Sequence, residues 1–145
     1  MVNTELKADH DKPFIQEIVI KHLVDEYPDL SYLEQEYKDC TPKENKKYQA
    51  RDKARLDAFN NGDWYAMGIR AEADILVPLE LLGYVGAKRN YQIVSVNSGG
   101  LWGIESDSDK QYIKDEEASQ IEELKKLLKV LNVEVDTNVP IKESD

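Results

Sequence analysis

Glu105, Asp107, Asp109 and Glu116 stand at positions 1, 3, 5 and 12 of one short stretch. Oxygen ligands at that spacing wrap a calcium ion in EF-hand loops. Two positions depart from the pattern: Glu105 replaces the usual Asp at position 1, and Lys110 stands at position 6, where the sharp turn wants Gly. No strong helix leads into the stretch either. Helix capping needs the same residue types. Ser106 or Ser108 would cap, with Asp107 and Asp109 at the positive end of the helix dipole, each worth about 0.3–1 kcal/mol. Capping is the preferred expectation. A divalent cation held by Glu105, Asp107, Asp109 and Glu116 is the alternative.

The other chemistry-bearing residues are sparse. His10 and His22 have no Ser or Cys motif beside them, and His22 lies in an apolar run that suits a sheet. Cys40 is the only cysteine, so it forms neither an internal disulfide nor a cysteine zinc cluster, and no base is evident beside it. Glu116 and Glu117 are paired carboxylates, but they read as a solvated helix face. Gly99, Gly100 and Gly103 crowd around Trp102 without either phosphate-loop pattern, which suggests backbone packed on an indole. Trp64 and Trp102 are candidates for the core or for anchoring a partner. No catalytic set emerges, and the expectation is a protein that binds without catalysing.

These residues must be positioned by a small number of elements. Phe14–Val24 is rich in β-branched residues and is expected to be a strand, although its length permits a buried helix. Tyr27-Pro28-Asp29 breaks it, and Leu30–Asp39 reads as a loop or short helical turn. Thr41-Pro42-Lys43-Glu44 is a capping box with Pro at the first helical position, and it opens a helix to about Asn60. Tyr48, Arg55, Leu56 and Phe59 share one face of that helix; Asn60-Asn61-Gly62 ends it. Trp64–Val77 alternates with a period of two, setting Tyr65, Met67, Ile69, Ala71, Ala73, Ile75 and Val77 on the buried face. Asn90–Asn97 is its partner strand, and Ser98-Gly99-Gly100 allows a bend before Leu101–Ile104. A last helix over about 109–131 carries the apolar stripe Ile113, Ile121, Leu124, Leu127, Leu128 and Leu131. Val133–Val135 would add an edge strand, and the acidic end would fray.

The fold class expected is therefore α+β: a small antiparallel sheet of three or four strands, with two helices packed on one face. The division expected is a loose segment over 1–12, one domain over 13–136 and an acidic tail over 137–145. Formal net charge is −10, which disfavours direct binding to nucleic acid or to an anionic membrane. The charge is uneven. Lys43–Asp57 holds six basic residues against three acidic, a net of +3, which leaves −13 for the rest. That basic face is expected to be solvated and paired within itself. The absence of an apolar leader and the lone thiol point to the cytoplasm.

Two motifs carry a resemblance. Gly62-Asp63-Trp64-Tyr65 with Gly68-Ile69-Arg70-Ala71 follows the basic helix, and Ser98–Asp109 reads SGGLWGIESDSD. Together they resemble a family of small acidic proteins encoded by bacteriophages and other bacterial mobile elements, over roughly residues 45–131. The resemblance implies a genomic setting and not a mechanism. In that setting an acidic protein would bind a host protein with a basic nucleic-acid-binding surface, as anti-CRISPR and anti-restriction inhibitors do. Trp102, Glu105, Asp107, Asp109, Asp115, Glu116 and Glu117 are the candidate contact residues. A cation-binding regulatory module using the acidic turn, or a homo-oligomeric accessory protein, are the alternatives.

Overall fold

The chain runs β1 (Phe14–Ile15), β2 (Ile18–Val24), a 3-10 turn (Ser31–Leu33), α1 (Pro42–Asn60) and β3 (Ala66–Pro78). A second 3-10 turn (Leu79–Leu82), β4 (Tyr91–Asn97), β5 (Leu101–Glu105), α2 (Lys110–Val130) and β6 (Ile141–Glu143) complete it. The computed structural model describes residues 12–84, 86 and 90–144. The expected loose segment, apart from residue 12, lies outside the described residues, as does His10.

The class is α+β, with a mixed sheet of six strands among the described residues in place of the expected antiparallel three or four. The difference arises from splitting and from the chain end. The run from Phe14 to Val24 is strand throughout except at Gln16-Glu17, where it divides into β1 and β2. The long partner of β3 divides at Ser98–Gly100 into β4 and β5, with Gly99 and Gly100 both at positive φ. The end of the chain does not fray through 141–143. β6 pairs in parallel with β2, Ile18 opposite Ile141 and Ile20 opposite Glu143.

β3 is the spine. β1 and β2 pair antiparallel along one of its edges, and β4 and β5 along the other, because both sets share positions such as Glu72 and Ile75. The expected face is buried at Met67, Ile69, Ala71, Ala73 and Ile75, with Val77 half-buried; at the start of the strand Ala66 and Gly68 on the other face are buried as well. With Ile18, Ile20 and Ile104 they meet Leu124 and Leu128 of α2, both fully buried. Each such leucine contributes about 1.5–3 kcal/mol. The β3 face starts later, and the α2 stripe stops earlier, than expected. Tyr65 precedes β3 and is half exposed, and Leu131 follows α2 and is exposed too.

The two helices do not share a face. α2 lies on the side of Met67 and Ile104, which are paired directly and both buried in the core. α1 packs on the Ser31–Leu33 turn and reaches the sheet through Glu105. Glu105 is paired with Ala66, whose side chain alternates to the side opposite α2. The reason is charge. The α1 face that carries Arg55 is too polar for a core, its one buried residue being Asp52, and Arg55 finds the carboxylates of Glu105 and Asp107.

Candidate functional site

The start of α1 is closed by the expected box: Glu44 N–H donates to Thr41 Oγ1 at 3.1 Å, and Thr41 N–H donates to Glu44 Oε1 at 3.4 Å. At its other end Gly62, at φ 81°, turns the chain directly into Trp64 and β3. Trp64 is buried against Phe59, and its indole N–H donates to the Arg55 carbonyl at 3.0 Å. The guanidinium of Arg55 lies 4.1 Å from the centre of the Trp64 ring. That stacking aims its fork at the acidic turn. Nε donates to Glu105 Oε1 at 2.8 Å and Nη1 to Asp107 Oδ2 at 2.8 Å, while Nη2 reaches both carboxylates. The guanidinium hydrogen bond holds the Asp107 carboxyl below the usual carboxylate range. The two carboxylates in turn push the Arg55 guanidinium further up.

A second loop is tied to the same node. Tyr32 donates its hydroxyl to Glu105 Oε2 at 3.0 Å. Burial, followed by that carboxylate, pushes the Tyr32 hydroxyl up to about 12. Further along, Tyr37 donates to Asp52 Oδ2 at 2.5 Å, and Tyr37 N–H donates to Asn45 Oδ1 at 2.8 Å. Asp52, only 6% exposed, is the buried charge of α1, with Arg51 Nη2 at 3.5 Å. Tyr32, Tyr37, Arg51, Asp52, Arg55 and Glu105 line an open groove of about 670 Å³. Its polar groups are paired with one another. Among the described residues no buried side-chain nitrogen or oxygen lacks a partner. The groove is a polar seam that straps the 25–39 loop to α1.

That seam brings two acidic segments to one end of the molecule. The 25–39 loop carries Asp25, Glu26, Asp29, Glu34, Glu36 and Asp39 against Lys38 alone. Glu26, Asp29, Glu34, Glu36 and Asp39 are exposed, and so are Asp107 and Asp109 of the turn. Tyr27, 91% exposed, stands among them. Sequence spacing could not disclose this site, because Arg55 and Glu105 are far apart in the chain. The one local signal was Arg55 on the partly apolar face of α1.

The sequence candidates distribute around this end without converging. Glu105 and Asp107 are held by Arg55. Asp109, and not Ser106 or Ser108, caps α2: its side chain accepts from Gln111 N–H at 3.2 Å. Ser106 Oγ instead accepts from Tyr65 N–H, and Ser108 Oγ donates to the Glu105 carbonyl. Asp115 accepts from Gln111 Nε2 at 2.8 Å and is exposed, and Glu116 is half-buried. Glu117 faces away toward β2, with Oε2 2.8 Å from His22 Nε2. Among the described residues no group of three or more His, Cys, Asp and Glu side chains is placed to hold a metal ion. Arg55 fills the space between Glu105 and Asp107 where a cation would sit.

Trp102 lies elsewhere. Gly103, at φ 78°, and a register shift between Met67 and Ile69 turn it onto the sheet face opposite α2. There it covers Gly68 so closely that a Cβ at that position would collide with Trp102 Cε3. Its indole N–H donates to the Gly99 carbonyl at 3.1 Å, and the residue is 43% exposed. Across the same face Arg70 and Lys21 pair with Glu72. No family model, curated protein or solved structure matches this chain. Among the described residues no helix is long and apolar enough to cross a membrane.

Proposed function

We propose that the protein is a non-catalytic binding protein, and that its acidic end docks on the basic surface of a nucleic-acid-processing partner. The observation that carries this is the seam. Tyr32 on Glu105, Tyr37 on Asp52 and Arg55 on Asp107 hold two separate acidic segments together, leaving their outer carboxylates in solvent. An ordered carboxylate array at one end of a chain of charge −10 meets a basic groove with little loss of conformational freedom. Tyr27 supplies an exposed aromatic group of the kind that dominates interface energetics. The resemblance to small acidic bacteriophage proteins supports a host nuclease or defence complex as the partner, occupied where it would hold DNA or RNA.

The test is affinity capture from bacterial lysate with increasing salt, followed by competition with duplex DNA. The expected result is a retained nucleic-acid-binding protein that is released by salt and displaced by DNA. Glu34→Lys with Glu36→Lys should abolish retention, since both side chains are exposed and leave the seam intact. Retention that is indifferent to salt and to these two substitutions would remove the acidic end from the interface.

A further inference from the structure

We infer that the protein associates with a second copy of itself through the free edge of β4, forming a continuous antiparallel sheet across a two-fold axis at Val94. The starting observation is a gap in the charge. A third of the chain, 33%, is charged, yet Asn90 through Ile104 contains no Asp, Glu, Lys, Arg or His. That neutral stretch forms β4 and β5, which together occupy one whole edge of β3.

The backbone of β4 shows which groups are free. Leu79 N–H donates to the Asn90 carbonyl at 2.9 Å, and Ser98 N–H donates to the Ala71 carbonyl at 2.9 Å. These two bonds fix the phase of the β3–β4 ladder, in which Asp74 faces Ser95 and Ile75 faces Val94. Gln92, Val94 and Val96 turn their N–H and C=O groups toward β3. Tyr91, Ile93, Ser95 and Asn97 turn theirs outward. Among the described residues no strand pairs with β4 other than β3. Exposed edges in natural proteins are blunted by charge, proline or a bulge. Tyr91–Asn97 has no charged residue or proline, and its register with β3 is unbroken.

The occupant follows from charge and register. Two copies, each of charge −10, repel over most of their surfaces, so a neutral edge is where they can approach. A two-fold axis at Val94 sets Tyr91 against Asn97 of the second copy and Ile93 against its Ser95. Those are the four residues whose groups point outward, so every free N–H and C=O of β4 finds a partner. Moving the axis by one residue leaves some of them unpaired. The side chains agree: Val94, 45% exposed, meets Val94 of the second copy on one face, and Ile93, 56% exposed, meets its Ser95 on the other. The edge lies apart from the acidic end, so the inference stands independently of the proposed function.

Analytical ultracentrifugation over a concentration series tests it on the full chain. The expected result is a reversible monomer–dimer equilibrium that strengthens with added salt, because screening relieves repulsion between like-charged copies. Hydrogen exchange gives a second readout without substitution. The Ile93 and Ser95 amides should slow by about tenfold or more at dimer-forming concentration, whereas those of Val94 and Val96 are protected throughout by β3. Ile93→Pro removes only an outward N–H and should give a monomer with unchanged circular dichroism. Ile93→Lys should do the same by placing two like charges close together. A monomer at every concentration with fast Ile93 and Ser95 exchange would overturn the inference. So would a dimer that survives both substitutions, or one that weakens with salt. Capture of a foreign extended segment by a chain that stays monomeric would replace the second copy with another partner, and would overturn it too.

Discussion

Arg55→Ala should be the most damaging substitution of a charged residue among those described. The Arg55 side chain is 29% exposed, Glu105 30% and Asp107 50%, so the cluster lies between a surface pair and a buried one. Fully exposed pairs contribute about 0.2–1 kcal/mol and charge-assisted hydrogen bonds about 1.5–3 kcal/mol. The Asp107 arm belongs near the lower figure, because solvent screens it. The Glu105 arm belongs higher, and stacking on Trp64 adds about 0.5–1 kcal/mol. The expected loss is about 2–4 kcal/mol, or roughly 5–15 °C in Tm for a domain of this size. Urea denaturation followed by circular dichroism measures it. Trp64 fluorescence reports the lost stacking in the same experiment. The pH dependence gives a further check. Arg55 depresses the Asp107 pKa in the folded state, so this part of the stability is fully present above the ordinary value of 3.8. It is lost as pH falls through the depressed folded value. The difference between Arg55→Ala and the native chain should therefore narrow below about pH 4. A loss under about 0.5 kcal/mol at pH 7, typical of an ordinary surface change, would refute the node as an organiser of this end.

Other outcomes follow from single contacts. Leu124→Ala removes a fully buried side chain from between α2 and β3 and should cost about 2–5 kcal/mol by thermal or chemical denaturation. Gly68→Ala puts a methyl group where the Trp102 ring lies, so the ring must lift; the cost should be about 1–3 kcal/mol with a red-shifted Trp emission. Trp102→Ala combined with Gly68→Ala should recover part of that loss. Absorbance titration should show the Tyr32 hydroxyl ionising late, at about 12, and Tyr32→Phe should remove that step. Because the Tyr32 pKa is raised on folding, its contribution is complete below pH 10 and declines as pH rises through the folded value.

What could be read from the sequence was whatever is decided within a few residues. The α1 start needed only Thr41, Pro42 and Glu44, and the structure closes the box among those residues. The β3 pattern needed only its own alternation from Ile69 to Ile75, where one face meets α2 and the other carries Arg70, Glu72 and Asp74; at Ala66 and Gly68 both faces are buried, because Trp102 covers Gly68. The failures depend on distant partners. β6 is three exposed residues with no pattern of its own, and it is a strand only because β2 offers an edge. The two helices were placed together because both carry apolar positions. Only α2 has a continuous stripe, while α1 turns Arg55 and Asp52 inward to meet Glu105 and Tyr37. Asp109 took the cap from Ser106 and Ser108 because β5 continues to Glu105, and both serine hydroxyls are already engaged: Ser106 accepts from the distant Tyr65 N–H and Ser108 donates to the Glu105 carbonyl.

The distribution of charge links these features. A chain of charge −10 resists its own compaction, and the basic residues of α1 are placed where they offset that repulsion locally. Arg55 cancels the inner carboxylates of the acidic turn, and Arg70 with Lys21 cancels Glu72 on the open sheet face. Burial opposes ionisation of Glu72, yet hydrogen bonds from Arg70 and Lys21 outweigh it and hold the carboxyl below its ordinary range. Uncancelled charge is thereby left at the acidic end, and the β4 edge is left with none. The two surfaces must then answer to salt in opposite directions: docking of carboxylates on a basic partner weakens, whereas pairing of neutral edges between acidic copies strengthens. One ionic-strength series, read once for partner retention and once for self-association, therefore separates two modes of recognition that a single affinity measurement would confuse.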